Sequence, residues 1–330
     1  MPQPPVIDIA GPPDDAIARA ALDAACRAWG FFHITGHGID LSLRTAVLAQ
    51  MREFFALPQT EKHRIIRNDT NVWGFYDQEL TKNRRDWKEI FDVGPAESEG
   101  PLAGARPQWP EALPQLQETL SVFMDACRIV AHRLLTGISL NLGMPADALG
   151  AAFRPRDTSF LRLNYYPICA DPAPADAATV PISGQLGINH HTDAGALTIL
   201  LQDQQAGLQV QRGDRWYLIE PVADALLINI GDIVQVWSND AYKAPLHRVI
   251  ASSHVPRYSA PFFFNPSYAT DYAPLPSACS VIDAPRYRAI NWGEFRAARA
   301  AGDYADHGDE IQISDFRIGL ATSGAAFSRS

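Results

Sequence analysis

Apolar positions along the chain change period once, near residue 158. Before that point the clearest repeat is helical. Leu116, Leu120, Phe123, Cys127, Val130, Leu134, Ile138 and Leu142 step by 4, 3, 4, 3, 4, 4 and 4, forming one apolar stripe. This predicts an amphipathic helix that starts after Pro110, ends at Gly143 and Pro145, and lays its stripe, Cys127 included, on a sheet. Upstream, VIDI (6–9) reads as a short strand. Asp14 or Asp15 caps a helix reaching about Trp29, GFFHITGHGI (30–39) is strand and turn, and 41–56 is a second helix.

Beyond residue 158 the period is two. SFLRLNYYP, GALTILLQD, GLQVQ, RWYLIE, ALLINIG, IVQVWS, LHRVIAS and YSAPFFFNP are short strand candidates, separated by Gly213-Asp214, Gly231-Asp232 and Asn239-Asp240. Short strands without helices between them predict an antiparallel sandwich or barrel. Residues 285–304 return to a helical pattern. The chain therefore reads as a mixed α/β fold, an all-β core with flanking helices, in a single domain over 1–330. Its parts are a mainly helical region (1–157), a β core (158–284), and a C-terminal helix and tail (285–330).

Composition narrows the partners. A hydrophobic share of 47% with 20% charged residues suits a globular chain with a real core. The net charge of −9 opposes broad binding to nucleic acid or anionic membranes, although one pocket arginine can still capture a small anion. Cys26, Cys127, Cys169 and Cys279 form no CxxC pair, so reduced structural thiols and a cytoplasmic location are expected. The N-terminus lacks a basic, then apolar, leader pattern, and no run reaches ~18 apolar residues. Neither a signal peptide nor a membrane span is expected.

The chemistry concentrates in LGINHHTDAGALTILLQD (186–203). On a strand, His191 and Asp193 share a face and His190 takes the other. A His-x-Asp pair arises by chance about once in such a chain, and His307-Gly308-Asp309 is a second one. The first pair gains weight from His247 on a downstream strand and from Arg257-Tyr258-Ser259 ten residues later. The second has no such partners and reads as surface. Two histidines and a carboxylate occupy one face of an octahedral ion and leave three positions open, the arrangement of non-haem Fe(II). Arg257 with Ser259 on one strand face suits a carboxylate. Arg162, Asn164 and Tyr166 share a polar strand face opposite Leu161, Leu163 and Tyr165.

Together, His191-Thr192-Asp193, His247, Arg257-x-Ser259 and Asn164-Tyr165-Tyr166-Pro167 resemble the isopenicillin N synthase-like family of Fe(II)/2-oxoglutarate-dependent oxygenases. GFFHITGHGI, GLQVQ, INIGD, VWSND, HRV and RYSAPFFFNP follow in the family's order. The resemblance implies a double-stranded β-helix, or jelly roll, with an N-terminal helical region and a long backing helix. It implies Fe(II) on His191, Asp193 and His247, and the distal carboxylate of 2-oxoglutarate on Arg257 and Ser259. Asn164 and Tyr166 would meet the co-substrate's other end. O2 is then consumed, succinate and CO2 are released, and a C–H bond of a small, largely apolar metabolite is hydroxylated, desaturated or closed into a ring. The carboxylate ligand argues against halogenation, because family halogenases lack it.

Trp73, Phe75, Tyr76 and Phe264 are the expected substrate contacts, aromatic side chains suiting an apolar ligand. Arg84, Arg85 and Lys88 read as a salt-bridged surface segment. The alanine- and proline-rich stretch 168–189 is a loop that by position overhangs the site. Competing readings are an oxidase that uses no 2-oxoglutarate and turns Arg257 to its substrate, a non-catalytic small-molecule binder, and a zinc hydrolase. No dimer seam is legible.

Overall fold

A computed structural model describes residues 2–68, 70–96, 100–176, 183–301 and 311–319. The helices are α1 (Ala16–Ala28), α2 (Leu41–Ala56), α3 (Gln59–Lys62), α4 (Leu116–Asn141), α5 (Asp232–Trp237) and α6 (Trp292–Ala301). The N-terminal strands are β1 (Val6–Asp8), β2 (Phe31–Thr35), β3 (Gly74–Tyr76), β4 (Leu80–Thr81), β5 (Arg84–Arg85) and β6 (Glu89–Val93). The core strands are β7 (Phe160–Tyr166), β8 (Leu186–His191), β9 (Leu197–Gln202), β10 (Leu208–Arg212), β11 (Arg215–Leu218), β12 (Leu226–Ile230), β13 (His247–Ile250) and β14 (Arg257–Phe264).

An eight-stranded sheet, β1-β2-β12-β9-β14-β7-β6-β3, faces a four-stranded sheet, β11-β10-β13-β8. Among the strands of these two sheets β1 and β2 pair in parallel, and the other described ladders are antiparallel. This is the expected jelly roll. Both faces of the large sheet are covered, and the period of two sorts its side chains. Leu161 and Leu163 of β7, Ile199 and Leu201 of β9, Ile228 of β12, and Phe262 and Phe264 of β14 pack toward the helices. There they meet the α4 stripe of Leu116, Leu120, Phe123, Cys127, Val130, Leu134 and Ile138. The opposite faces meet between the sheets, where Phe31, Tyr166, Leu200, Leu208, Val210, Leu227 and Val249 form a smaller core beside the cavity. Asp15 caps α1 through bonds from the Ile17 and Ala18 amides.

Some elements differ from expectation. IVQVWS forms helix α5, not a strand. Every residue of that helix is buried, so alternation carried no information about which side meets solvent. The bonds Asp232 N–Asp193 O (2.8 Å) and Ile233 N–Gly195 O (3.2 Å) fix the turn in place of a ladder. The charged stretch 84–92 contributes β6, which joins β3 to β7 in the large sheet. The C-terminal helix starts at Trp292, later than expected. His307 and Asp309 lie outside the described residues. The 168–189 stretch, expected to be a loop throughout, ends in strand β8 from Leu186, and its middle, 177–182, also lies outside the described residues. The described part runs along the outer face of the small sheet, with Ala173 against Leu186 and Ile250, and with Ala175 O accepting from Gln209 Nε2 (2.8 Å). No described helix is long and apolar enough to cross a membrane.

Candidate metal centre and its cavity

Strand β8 ends at His191, and β13 begins at His247, directly opposite it in the ladder. Asp193 lies past the strand end, in the turn into β9, so it does not share a strand face with His191 as the spacing predicted. The turn instead brings its Oδ1 to 3.6 Å from both His191 Nε2 and His247 Nε2. That turn requires close backbone approach. A side chain at Gly231 would sit 2.2 Å from Gly195 O and 2.8 Å from Asp193 O. One ligand atom from each of the three residues falls within a 4.8 Å cluster that can hold a metal ion.

The surroundings prepare these atoms. His191 Nδ1 donates to Asn189 O (2.8 Å) and His247 Nδ1 to Pro245 O (3.0 Å). A carbonyl only accepts, so each Nδ1 carries the proton and each Nε2 keeps its lone pair inward. Burial, then the neighbouring His247, pushes the His191 imidazole down to about 3, so it is neutral near pH 7. Burial opposes the Asp193 carboxylate. His247, His191 and the bonds from Asn229 and Thr198 outweigh it and hold the acid below its usual range. Thr198 Oγ1 and Asn229 Nδ2 both donate to Asp193 Oδ2, leaving Oδ1 toward the histidines. Sequence reasoning missed Thr198 and Asn229. Their signal was present: each is a lone polar residue inside an apolar strand, GALTILLQ and ALLINIG.

The same cavity contains Arg257, Ser259, Asn164 and Tyr166. Arg257 is 4% exposed and lies 5.2 Å above the Tyr166 ring. It donates to Gln205 O (3.1 Å), Gln202 Oε1 (2.9 Å) and Ser259 Oγ (3.3 Å). All three acceptors are neutral, and among the described residues no carboxylate pairs with it. A buried cation without a counter-ion is costly, and an incoming anion removes that cost. Asn164 Oδ1 is buried and has no hydrogen-bond partner.

Beside the histidines, Arg67, Lys88 and Arg162 interlock with Glu79, Asp86 and Asp92. Lys88 Nζ lies 2.6 Å from Glu79 and 3.1 Å from Asp86. Arg162 meets Asp92 through Nε (2.7 Å) and Glu79 through Nη1 (2.9 Å). Arg67 spans the same two acids. Asp86 Oδ1 in turn accepts from the Asn189 amide (3.0 Å), tying the network to the strand that carries His191. Three cations balance three anions. Lys88 is therefore part of a buried lattice, whereas Arg84 and Arg85 are exposed.

The expected substrate contacts require correction. Trp73, Phe75, Tyr76 and Phe264 do not line the cavity. Trp73 is buried behind the wall, against Phe160, with Nε1 on Pro95 O (2.9 Å). Phe75 packs on Phe54 and His63, and Tyr76 lies beneath Arg67. Phe264 stacks on Phe153 at 4.0 Å on the helix side of the sheet. Its neighbour Phe263 faces the cavity, with Phe160, Pro261, Ile188 and Leu200. Both faces of β14 are buried, so periodicity separated Phe263 from Phe264 without revealing which face was the cavity.

Residues 158–266 match the family model described as the 2OG-Fe(II) oxygenase superfamily, and residues 4–115 match the non-haem dioxygenase in morphine synthesis N-terminal model. The chain is 33% identical over 281 residues to jasmonate-induced oxygenase 4 of Arabidopsis thaliana, covering 83% of this chain and 75% of that protein. It is 32% identical over 302 residues to flavanone 3-dioxygenase 2 of Oryza sativa subsp. japonica, covering 88% and 82%. Among solved structures, JOX2 in complex with 2OG, Fe and JA superposes with a TM-score of 0.77 at 30% identity, over 89% of this chain and 84% of that one.

Proposed function

The chain belongs to the 2OG-Fe(II) oxygenase superfamily and is a dioxygenase that uses Fe(II), 2-oxoglutarate and O2 on a small metabolite; within that activity we propose that His191, Asp193 and His247 hold the iron and that Arg257 and Ser259 hold the distal carboxylate of 2-oxoglutarate. The observation that carries this reading is the donor set. Two imidazoles with fixed tautomers and one carboxylate oxygen converge within 4.8 Å, in the cavity that also holds an uncompensated arginine. Two nitrogens and one oxygen suit Fe(II), and a guanidinium with an adjacent hydroxyl suits a carboxylate. Bound iron supplies the redox chemistry with O2 that turns 2-oxoglutarate into succinate and CO2 and oxidises a substrate C–H bond.

The chain's own residues orient and shield. Arg257 and Ser259 fix the co-substrate's far end. Asn164, whose Oδ1 lacks a partner, lies further along β7 and would meet its near end, whereas Tyr166, expected there too, pairs with Arg257 in the ladder beneath its guanidinium and so borders the far end. Ile188, Leu200, Phe160, Pro261 and Phe263 give the substrate apolar walls, which exclude water from the reacting bond. Relatives named for flavanone and gibberellin dioxygenase activity support a small, largely apolar metabolite, hydroxylated, desaturated or cyclised. The family assignment disfavours the binding-protein and zinc-hydrolase alternatives, and relatives named dioxygenases together with the 2OG- and Fe-bound JOX2 structure favour 2-oxoglutarate use over the oxidase.

The test is an anaerobic titration with Fe(II) and then 2-oxoglutarate, followed by the visible iron-to-ligand charge-transfer band. The band should disappear in His191→Ala, and the Kd for 2-oxoglutarate should rise at least tenfold in Arg257→Gln. A band unchanged in both variants refutes the assignment.

A further inference from the structure

Three arginines line the cavity in addition to Arg257: Arg162, Arg296 and Arg299. Two are occupied. Arg162 is locked to Asp92 and Glu79. Arg299 gives Nη1 to Ile311 O (3.2 Å) and Nη2 to Thr192 O (3.4 Å), and lies close enough to Asp232 to act on its charge. Arg296 differs. Its guanidinium carbon lies 5.4 Å from the centre of the Phe160 ring, and among the described residues it makes no hydrogen bond or ion pair. The α6 helix thus carries a charged group into an apolar corner, where Phe160 stacks on Phe263 at 4.8 Å.

This corner is distant from the co-substrate anchor. In the β7–β14 ladder, Arg257 pairs with Tyr166, and Phe263 pairs with Phe160. The two pairs are separated by six residues along both strands, about 20 Å at ~3.3 Å per residue. One five-carbon dicarboxylate cannot engage both ends. A guanidinium stacked on an aromatic ring keeps its N–H edge free for paired bonds to a carboxylate, and an apolar wall strengthens that attraction.

We propose that Arg296 is the specificity-determining anchor of the substrate, which is a small, largely apolar molecule bearing a carboxylate held by Arg296 beside the Phe160–Phe263 wall. The proposal rests on the iron and 2-oxoglutarate reading above, and it adds the charge of the substrate to it. The anion brings a counter-ion to a cation that has none, and the apolar body extends along the cavity.

The test loads the protein anaerobically with Fe(II) and saturating 2-oxoglutarate, so that Arg257 is occupied and no turnover occurs. Calorimetry then measures binding of 3-phenylpropanoate, cyclohexylacetate and octanoate, each against its methyl ester. At least one acid should bind tenfold or more tightly than its ester. In Arg296→Gln that preference should vanish with the ester's Kd unchanged, and Arg296→Lys should recover part of it. Absence of any acid preference in the native protein, or its survival in Arg296→Gln, overturns the proposal. The charge-transfer band of the same samples separates the two readings. A band with no acid preference removes the Arg296 anchor alone, whereas a missing band in the native protein removes the parent reading and the anchor with it.

Discussion

His191 and His247 face each other across the β8–β13 ladder, with ring centres 4.3 Å apart and each Nδ1 turned to the carbonyl two residues earlier in its own chain. The same local device on two strands therefore aims both Nε2 atoms at one point. Neither histidine needs another side chain to fix its tautomer. Asp193, which comes from a turn, does need such help, and Thr198 and Asn229 provide it.

Asn229→Ala removes one of the two donors to Asp193 Oδ2 and frees the carboxylate to rotate. Groups behind metal ligands typically contribute tenfold or more to metal affinity. The Kd for Fe(II), measured by competition with a chelator, should rise about tenfold while the circular dichroism spectrum stays unchanged. An unaltered Kd would show that Thr198 alone orients the carboxylate.

Arg67 is 3% exposed in its side chain and bridges Glu79 and Asp92. Arg67→Met leaves those buried acids one cation short. Breaking such a pair costs about 3–5 kcal/mol. Arg64→Met, which removes an exposed pair with Glu61, should leave stability nearly unchanged. Urea unfolding of the two variants side by side measures the contrast.

Phe264 and Phe263 are adjacent and should fail differently. Phe264→Ala opens a hole against Phe153 and His132 in the core and should lower stability by about 3–5 kcal/mol. Phe263→Ala alters the cavity wall and should act mainly on the substrate's KM once a substrate is in hand. A larger unfolding shift for Phe263→Ala than for Phe264→Ala would reverse the assignment of the two faces.

Acid should unfold the metal-free protein through its neutral histidines. Burial pushes His33 down to about 4, and burial followed by Lys82 and Arg248 does the same to His190. Between their ordinary value of 6.5 and about 4, the unfolded chain binds protons that the native state refuses, so stability rises with pH across that window. Each group adds a slope of about 1.4 kcal/mol per pH unit inside it. Urea midpoints at pH 5, 6 and 7 should climb, and His190→Asn should flatten the climb.

Short-range patterns determined what short-range physics controls. The α4 stripe, the strand-facing sets Leu161/Leu163 and Arg162/Asn164/Tyr166, and the Arg257-x-Ser259 pair depend only on helical or strand period, and the structure keeps them. The proposed ligand set was legible because its residues lie on or beside such strands, and the resemblance joined the pieces. Tertiary structure decided the rest. Period two cannot say which of two buried faces lines a cavity, so Phe264 was expected where Phe263 stands. A fully buried hexapeptide shows no polar side, so helix α5 looked like a strand. The buried acids Glu79, Asp86 and Asp92 are balanced by Lys88 and by Arg67 and Arg162 from outside that stretch, and Arg162 arrives only when β6 pairs with β7. Arg296 meets Phe160 because α6 folds back over a strand 136 residues earlier in the chain, a contact that no local pattern encodes.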